Sequence, residues 1–296
     1  MGERDRTGLA IALSLFALFL FGCMGLIVKL LSHSFSAQEL SAWRNLFGLI
    51  PPTIAVLASR AWHEAGRPIA IRQWKLALAR GVIVTFAQLF FYMSLGLMAF
   101  ATASTISYAN ALFMTALAVP ILGEKVGMTR WSAVMIGFVG VILVMQPGSD
   151  TFSLHALLPL AAAFFYALVG VTARLFDDDV SSAIVSLYSA VTAVLAATCI
   201  ALIWGGFSQI TNLRDLAWIV AMGTCGGTAV LVLIISYRMT EQSNLAPFSY
   251  FGIPMSFLLG WVFFDETPWN ALFPGAVLIV AGGLLIIYRE RRKAKG

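Results

Sequence analysis

Ser107-Tyr108, Glu124 and Gly140 recur as Ser249-Tyr250, Glu266 and Gly282, each 142 residues further along the chain. Hydroxyls, a phenol and a carboxylate repeated at one spacing suit reversible binding by two related units. They supply hydrogen-bond donors and acceptors, but no nucleophile with a base beside it. Bond-breaking chemistry has no footing elsewhere. His33, His63 and His155 fall in or beside loops, and Cys23, Cys199 and Cys225 are scattered through apolar stretches. Gly137-Phe138-Val139-Gly140 lacks the strand-turn-helix context of a phosphate loop, so close helix packing is its reading. No catalytic residue, metal or cofactor is expected, and neither is an enzyme.

The elements that hold these residues must sit in lipid. Sixty per cent of the chain is hydrophobic, 11% is charged and the mean hydropathy is +0.88, whereas roughly a quarter of a soluble domain is charged. A membrane-crossing helix needs about 20 apolar residues. Breaking the chain at charges, prolines and glycine clusters predicts ten, at about 7–31, 38–58, 73–98, 102–122, 129–146, 153–174, 182–204, 216–238, 242–264 and 270–288. Leu20-Phe21-Gly22-Cys23 has the look of a lipoprotein cleavage site, but the apolar run continues to Leu31, so an uncleaved first span is expected.

Cytoplasmic loops collect Lys and Arg. With ten crossings and the N-terminus inside, every basic residue except Lys29, Arg214 and Arg44 falls on the inner side. Both termini are therefore expected in the cytoplasm. The basic pI of about 9.3 then reflects topology and anionic lipid, not nucleic-acid binding. Five spans per half is an odd number, so the second unit (151–296) enters the membrane from the side opposite to the first (1–150). The expected fold is an all-α integral membrane protein of ten helices in two inverted five-helix repeats.

The stretches Tyr92-Met93-Ser94-Leu95-Gly96, Ala103 to Tyr108, Leu122-Gly123-Glu124-Lys125 and Gly137-Phe138-Val139-Gly140 resemble the drug/metabolite transporter superfamily, in its ten-helix EamA-type branch. Ala246-Pro247-Phe248-Ser249-Tyr250, Gly260-Trp261 and Phe264-Asp265-Glu266 look like the matching second unit, and Arg44 fits the same pattern. The second unit departs from it at Ser189, where the first has Arg44. The resemblance implies a bacterial inner-membrane exporter of amino acids and related metabolites, working by alternating access.

Polar residues at membrane depth are costly unless they face protein or water, and they nominate the binding site. Gln88, Tyr92, Ser107, Tyr108, Asn110, Tyr166, Thr228, Ser249 and Tyr250 are the expected lining of one central cavity. Gly252 and Pro254 mark a hinge in the ninth span, since Pro254 frees a backbone carbonyl. Arg44, Glu124 and Glu266 are expected as gate or charge-pairing groups, and Lys29 as a side chain reaching the headgroups. Such a lining suits a zwitterion or an uncharged metabolite. An exporter of organic cations is the alternative, though it would want a carboxylate within the membrane. Every acid lies at a helix end or in a loop, so a facilitator or exchanger is expected. The partners are a small-molecule substrate and the bilayer, and the protein is read as a monomer.

Overall fold

The computed structural model describes residues 3–58, 63, 66, 71–123, 127–145, 154–177, 182–239, 245, 248–266 and 273–293. Among them there is no strand. Twelve α-helices follow one another: α1 (Glu3–Leu31), α2 (Ala37–Gly48), α3 (Ile50–Leu57), α4 (Trp74–Leu97), α5 (Phe100–Ser107), α6 (Asn110–Leu122), α7 (Met128–Met145), α8 (Leu157–Thr172), α9 (Ser182–Ile203), α10 (Leu213–Met239), α11 (Gly252–Phe264) and α12 (Gly275–Lys293). Among the described residues, six stretches are long and apolar enough to cross a membrane, and three shorter apolar helices end at Met145, Phe264 and Leu285. Large apolar side chains such as Phe16, Met135, Leu195 and Val262 are exposed on their outer faces, as lipid contact requires.

Three spans read as continuous are broken. The span at 38–58 starts on a capping box, in which the Ser36 side chain accepts from the Glu39 amide and Glu39 accepts from the Ser36 amide at 2.7 Å. It stops at Leu49, because Pro51 and Pro52 have no N–H to offer the carbonyls of Phe47 and Gly48. α3 then restarts with those prolines in its first turn. The fourth span breaks at Tyr108-Ala109, where Ala109 bonds back to Ile106 at 3.0 Å, an i to i−3 spacing. The ninth breaks at Tyr250-Phe251 for the reason anticipated from Pro254. The Tyr250 carbonyl, lacking that donor, takes the Ile253 amide at 3.0 Å. Each repeated tyrosine therefore stands at a discontinuity of its helix.

Two large cores and a small one around Ala42, Ala197 and Ala201 hold the bundle, and none belongs to one half of the sequence. The first gathers Ile106, Leu112, Val134, Val141, Tyr250 and Ile279 from α5, α6, α7, α12 and the segment before α11. The second gathers Val28, Leu40, Tyr92, Leu95, Met222 and Leu259 from α1, α2, α4, α10 and α11. α1 packs along α10 while α8 packs along α4, and α7 lies along α12. The closest approaches use glycine. A Cβ at Gly140 would stand 2.7 Å from the Gly275 carbonyl oxygen, and one at Gly227 only 2.4 Å from that of Gly48. Backbones this near admit no side chain between them.

Candidate functional site

Asn45 and Gln88 build the first part of the site. Asn45 follows Arg44 on α2 and is buried; its amide donates to the Ser41 carbonyl at 2.9 Å and to Gln88 Oε1 at 2.7 Å. With both amide hydrogens committed, its oxygen is left to face Arg44, whose Nη1 donates to it at 3.1 Å. Arg44 Nε is buried without a hydrogen-bond partner. Tyr92, one turn beyond Gln88 on α4, and Tyr166 of α8 both lie within electrostatic reach of the guanidinium. Tyr92 is fully buried, its hydroxyl 3.7 Å from Met24 Sδ, whereas Arg44 and Tyr166 are only half-buried. Gln88 and Tyr92 therefore support the side chains that remain reachable.

The second part is the tyrosine pair. Tyr108 and Tyr250 have ring centroids 6.1 Å apart. The Tyr108 hydroxyl lies against the Gly252 backbone, 1.6 Å from where a Cβ would stand, and the Tyr250 hydroxyl occupies the same relation to Gly283 at 1.5 Å. Tyr250 OH is buried and has no hydrogen-bond partner. Gly252 is thus a socket for Tyr108 as well as a neighbour of the helix break.

The remaining candidates are more dispersed. The Ser107 hydroxyl turns back to the Ala103 carbonyl at 2.9 Å, within its own helix. Asn110 opens α6; Thr228 of α10 and Ser249 are half-buried. Of the nine residues expected around one cavity, the structure brings Gln88, Tyr92 and Tyr166 toward the Arg44–Asn45 pair and sets Tyr108 against Tyr250. Glu124 lies outside the described residues. Ser189, standing where a second arginine would be, donates to the Ala77 carbonyl at 3.0 Å and is buried, so the two units differ here.

Among the described residues no carboxylate pairs with Arg44. Glu39, its nearest candidate in sequence, is occupied by the amides of Ser36 and Ser208. Glu266 instead pairs with Lys29, which corrects the reading of Lys29 as a headgroup-seeking side chain. Asp265 explains the geometry. It adopts a left-handed φ of 53°, tolerable for Asp, and lets the Glu266 amide reach back to the Gly260 carbonyl at 3.2 Å. The Glu266 carboxylate then also accepts from the Phe100 amide at 2.7 Å, while Lys29 donates to the Met98 carbonyl at 2.9 Å and lies 5.0 Å from the Phe264 ring centre. One ion pair ties α1, the α4–α5 turn and the end of α11.

A separate cavity of about 600 Å³ lies between the end of α1 and the start of α10, lined by Leu30, Leu31, Ser34, Asn212, Arg214 and Trp218 among others. It shares no residue with the Arg44 group or the tyrosine pair. The interior polar groups as a whole offer cationic and neutral hydrogen bonding beside aromatic faces, an arrangement for binding and release.

The sequence pattern of the EamA-like transporter family matches this chain twice, over residues 8–146 and 153–288. Similar proteins include an S-adenosylmethionine uptake transporter of Rickettsia felis, 27% identical over 88% of this chain and 85% of the other. A riboflavin transporter of Vibrio cholerae is 30% identical over 59% of this chain and 58% of its own length. A pseudopaline exporter of Pseudomonas aeruginosa is 23% identical over 94% of this chain and 93% of that protein. A solved crystal structure has the same overall fold, with a TM-score of 0.65 over 97% of this chain and 99% of the other at 21% identity. The three named relatives are transporters, not enzymes, one named for uptake and one for export. The chain is a multi-pass membrane protein and belongs to the EamA-like transporter family.

Proposed function

We propose that this protein is a secondary transporter of small polar metabolites, amino acids and their derivatives foremost, in the bacterial inner membrane. It works by alternating access between two inverted five-helix units, 1–150 and 151–296, with both termini cytoplasmic. The observation that carries this reading is the contact of Tyr108 with Tyr250, 6.1 Å between ring centres, at matched breaks of two helices from different halves. Discontinuous helices meeting at a repeat interface are where transporters of this kind place their sites. The twofold family match supports the duplication, and the inner-side bias of Lys and Arg supports the orientation. The similar proteins act on different metabolites and in different directions, so the amino-acid assignment rests on the polar lining. Export follows from a higher substrate concentration inside. The positive charge of Arg44 weighs against organic cations as cargo.

No described acid occupies the middle of a span, so transport is facilitated diffusion or exchange without proton coupling. In liposomes holding the purified protein, flux of labelled amino acids is expected without a pH gradient. Tyr108→Ala and Tyr250→Ala should each lower flux per folded molecule roughly tenfold, a loss of about 1.4 kcal/mol, and impair transport more than expression. Wild-type flux in both variants would reject the reading.

A further inference from the structure

We infer that Arg44 is the anchor for a carboxylate of the transported molecule, and that the Asn45–Gln88 amide pair is the device that aims it. The inference rests on the transport reading above and adds the substrate class. Arg44 stands seven residues into α2, about 10 Å along its axis, and it brings a cationic fork of donors to that depth. A charge held at that depth is costly when it is not paired. Here Glu39 is spent on the Ser36 and Ser208 amides and Glu266 on Lys29. Of the five guanidinium donors, one reaches Asn45 Oδ1 at 3.1 Å and the Nε hydrogen is buried without a partner.

A side chain stretching to the headgroups would carry its head into water. Arg44 does the reverse, turning toward buried Asn45 and the wall of α10, where a Cβ at Gly226 would come within 2.9 Å of Nε. Asn45 cannot rotate its amide without giving up its bonds to Ser41 and Gln88, so the oxygen facing Arg44 is fixed. Asn45 and Gln88 are positioning residues. Tyr166, half-buried on α8 and within electrostatic reach of the guanidinium, supplies an aromatic face for the apolar part of the same ligand. The second unit has no equivalent anchor, since Ser189 is closed against the Ala77 carbonyl. The ligand is therefore held from the first unit only, with its carboxylate toward α2.

The test is counterflow in liposomes containing the purified protein, with a labelled panel of methionine, S-adenosylmethionine, other amino acids and carboxylate-free riboflavin. Competition by each acid is compared with competition by its carboxamide. For the wild type, the acid is expected to compete roughly tenfold better than the amide. In Arg44→Lys, which keeps the charge and loses the fork of donors, the preference should shrink to about twofold, and in Gln88→Leu it should weaken in the same sense. Arg214→Gln, an exposed outer cation, should leave the preference intact. A thermal melting point near the wild type's shows that each variant is folded. Amides competing as well as acids in the wild type, or riboflavin as the sole panel member carried, would overturn the anchor and leave the transport reading standing. Counterflow of no compound at all would overturn that reading and the anchor with it.

Discussion

Gly227→Ala will push α2 away from α10 and cost the folded protein about 1–3 kcal/mol. The added Cβ would lie 2.4 Å from the Gly48 carbonyl oxygen and 3.0 Å from its Cα. Both are backbone atoms, so no rotamer change relieves the clash. Gly223 leaves no slack on the same face, since a Cβ there would meet Phe47 Cβ at 2.4 Å. The strain falls on the turn of α2 that ends at the Leu49 break and carries Arg44, so transport should drop together with stability. Gly8→Ala is the control. Nothing lies within 4 Å of the position, and replacing a helical glycine by alanine gains about 0.5–1 kcal/mol. Thermal melting in detergent checks both, and a Gly227→Ala protein as stable as the wild type would show that α2 and α10 do not touch at this crossing.

Lys29→Met will destabilise the protein more than Glu266→Gln. The ion pair is mostly enclosed, with side-chain exposures of 12% and 20%. Removing the lysine leaves a carboxylate with only the Phe100 amide beside the Phe264 ring. Breaking a fully buried pair costs about 3–5 kcal/mol. The residual exposure here reduces that to about 1–3 kcal/mol. Glutamine in place of Glu266 still accepts from Phe100, and Lys29 keeps its bond to the Met98 carbonyl, so the loss should be about half as large. The double variant Lys29→Met/Glu266→Met should lose less than the two single Met variants together. Additive losses in such a cycle would mean that the two side chains do not interact.

Much of this was readable from residue types at fixed spacing. The tyrosine pair came from a 142-residue repeat, and Pro254 announced the ninth-span break through its missing N–H. Pro51-Pro52 carried the same signal for the second span, which was nonetheless read through as one helix. Glycine packing at Gly137 and Gly140 was legible as a class, but its partners Gly275 and Gly282 were not. These helices are apolar around most of their circumference, so no stripe tells which face meets which neighbour. The Lys29–Glu266 pair joins residues 237 apart at two helix ends, where either charge alone reads as an interfacial group. The role of Asn45 was invisible for another reason. An asparagine after an arginine has no periodic signature, and only the approach of Gln88 from α4 gives it one. How the nine candidate residues converge was not legible either, because spacing along helices does not fix how the helices rotate against one another.

The most direct test of the central claim is the accessibility of residue 166 from each face of the membrane. In a protein with Cys23, Cys199 and Cys225 replaced by Ser, Tyr166→Cys would be exposed to a membrane-impermeant thiol reagent applied to right-side-out or inside-out vesicles. A site that opens alternately to the two sides predicts labelling from either face, suppressed on both by transported substrate. Labelling from neither face, or from one face only whatever substrate is present, would contradict it.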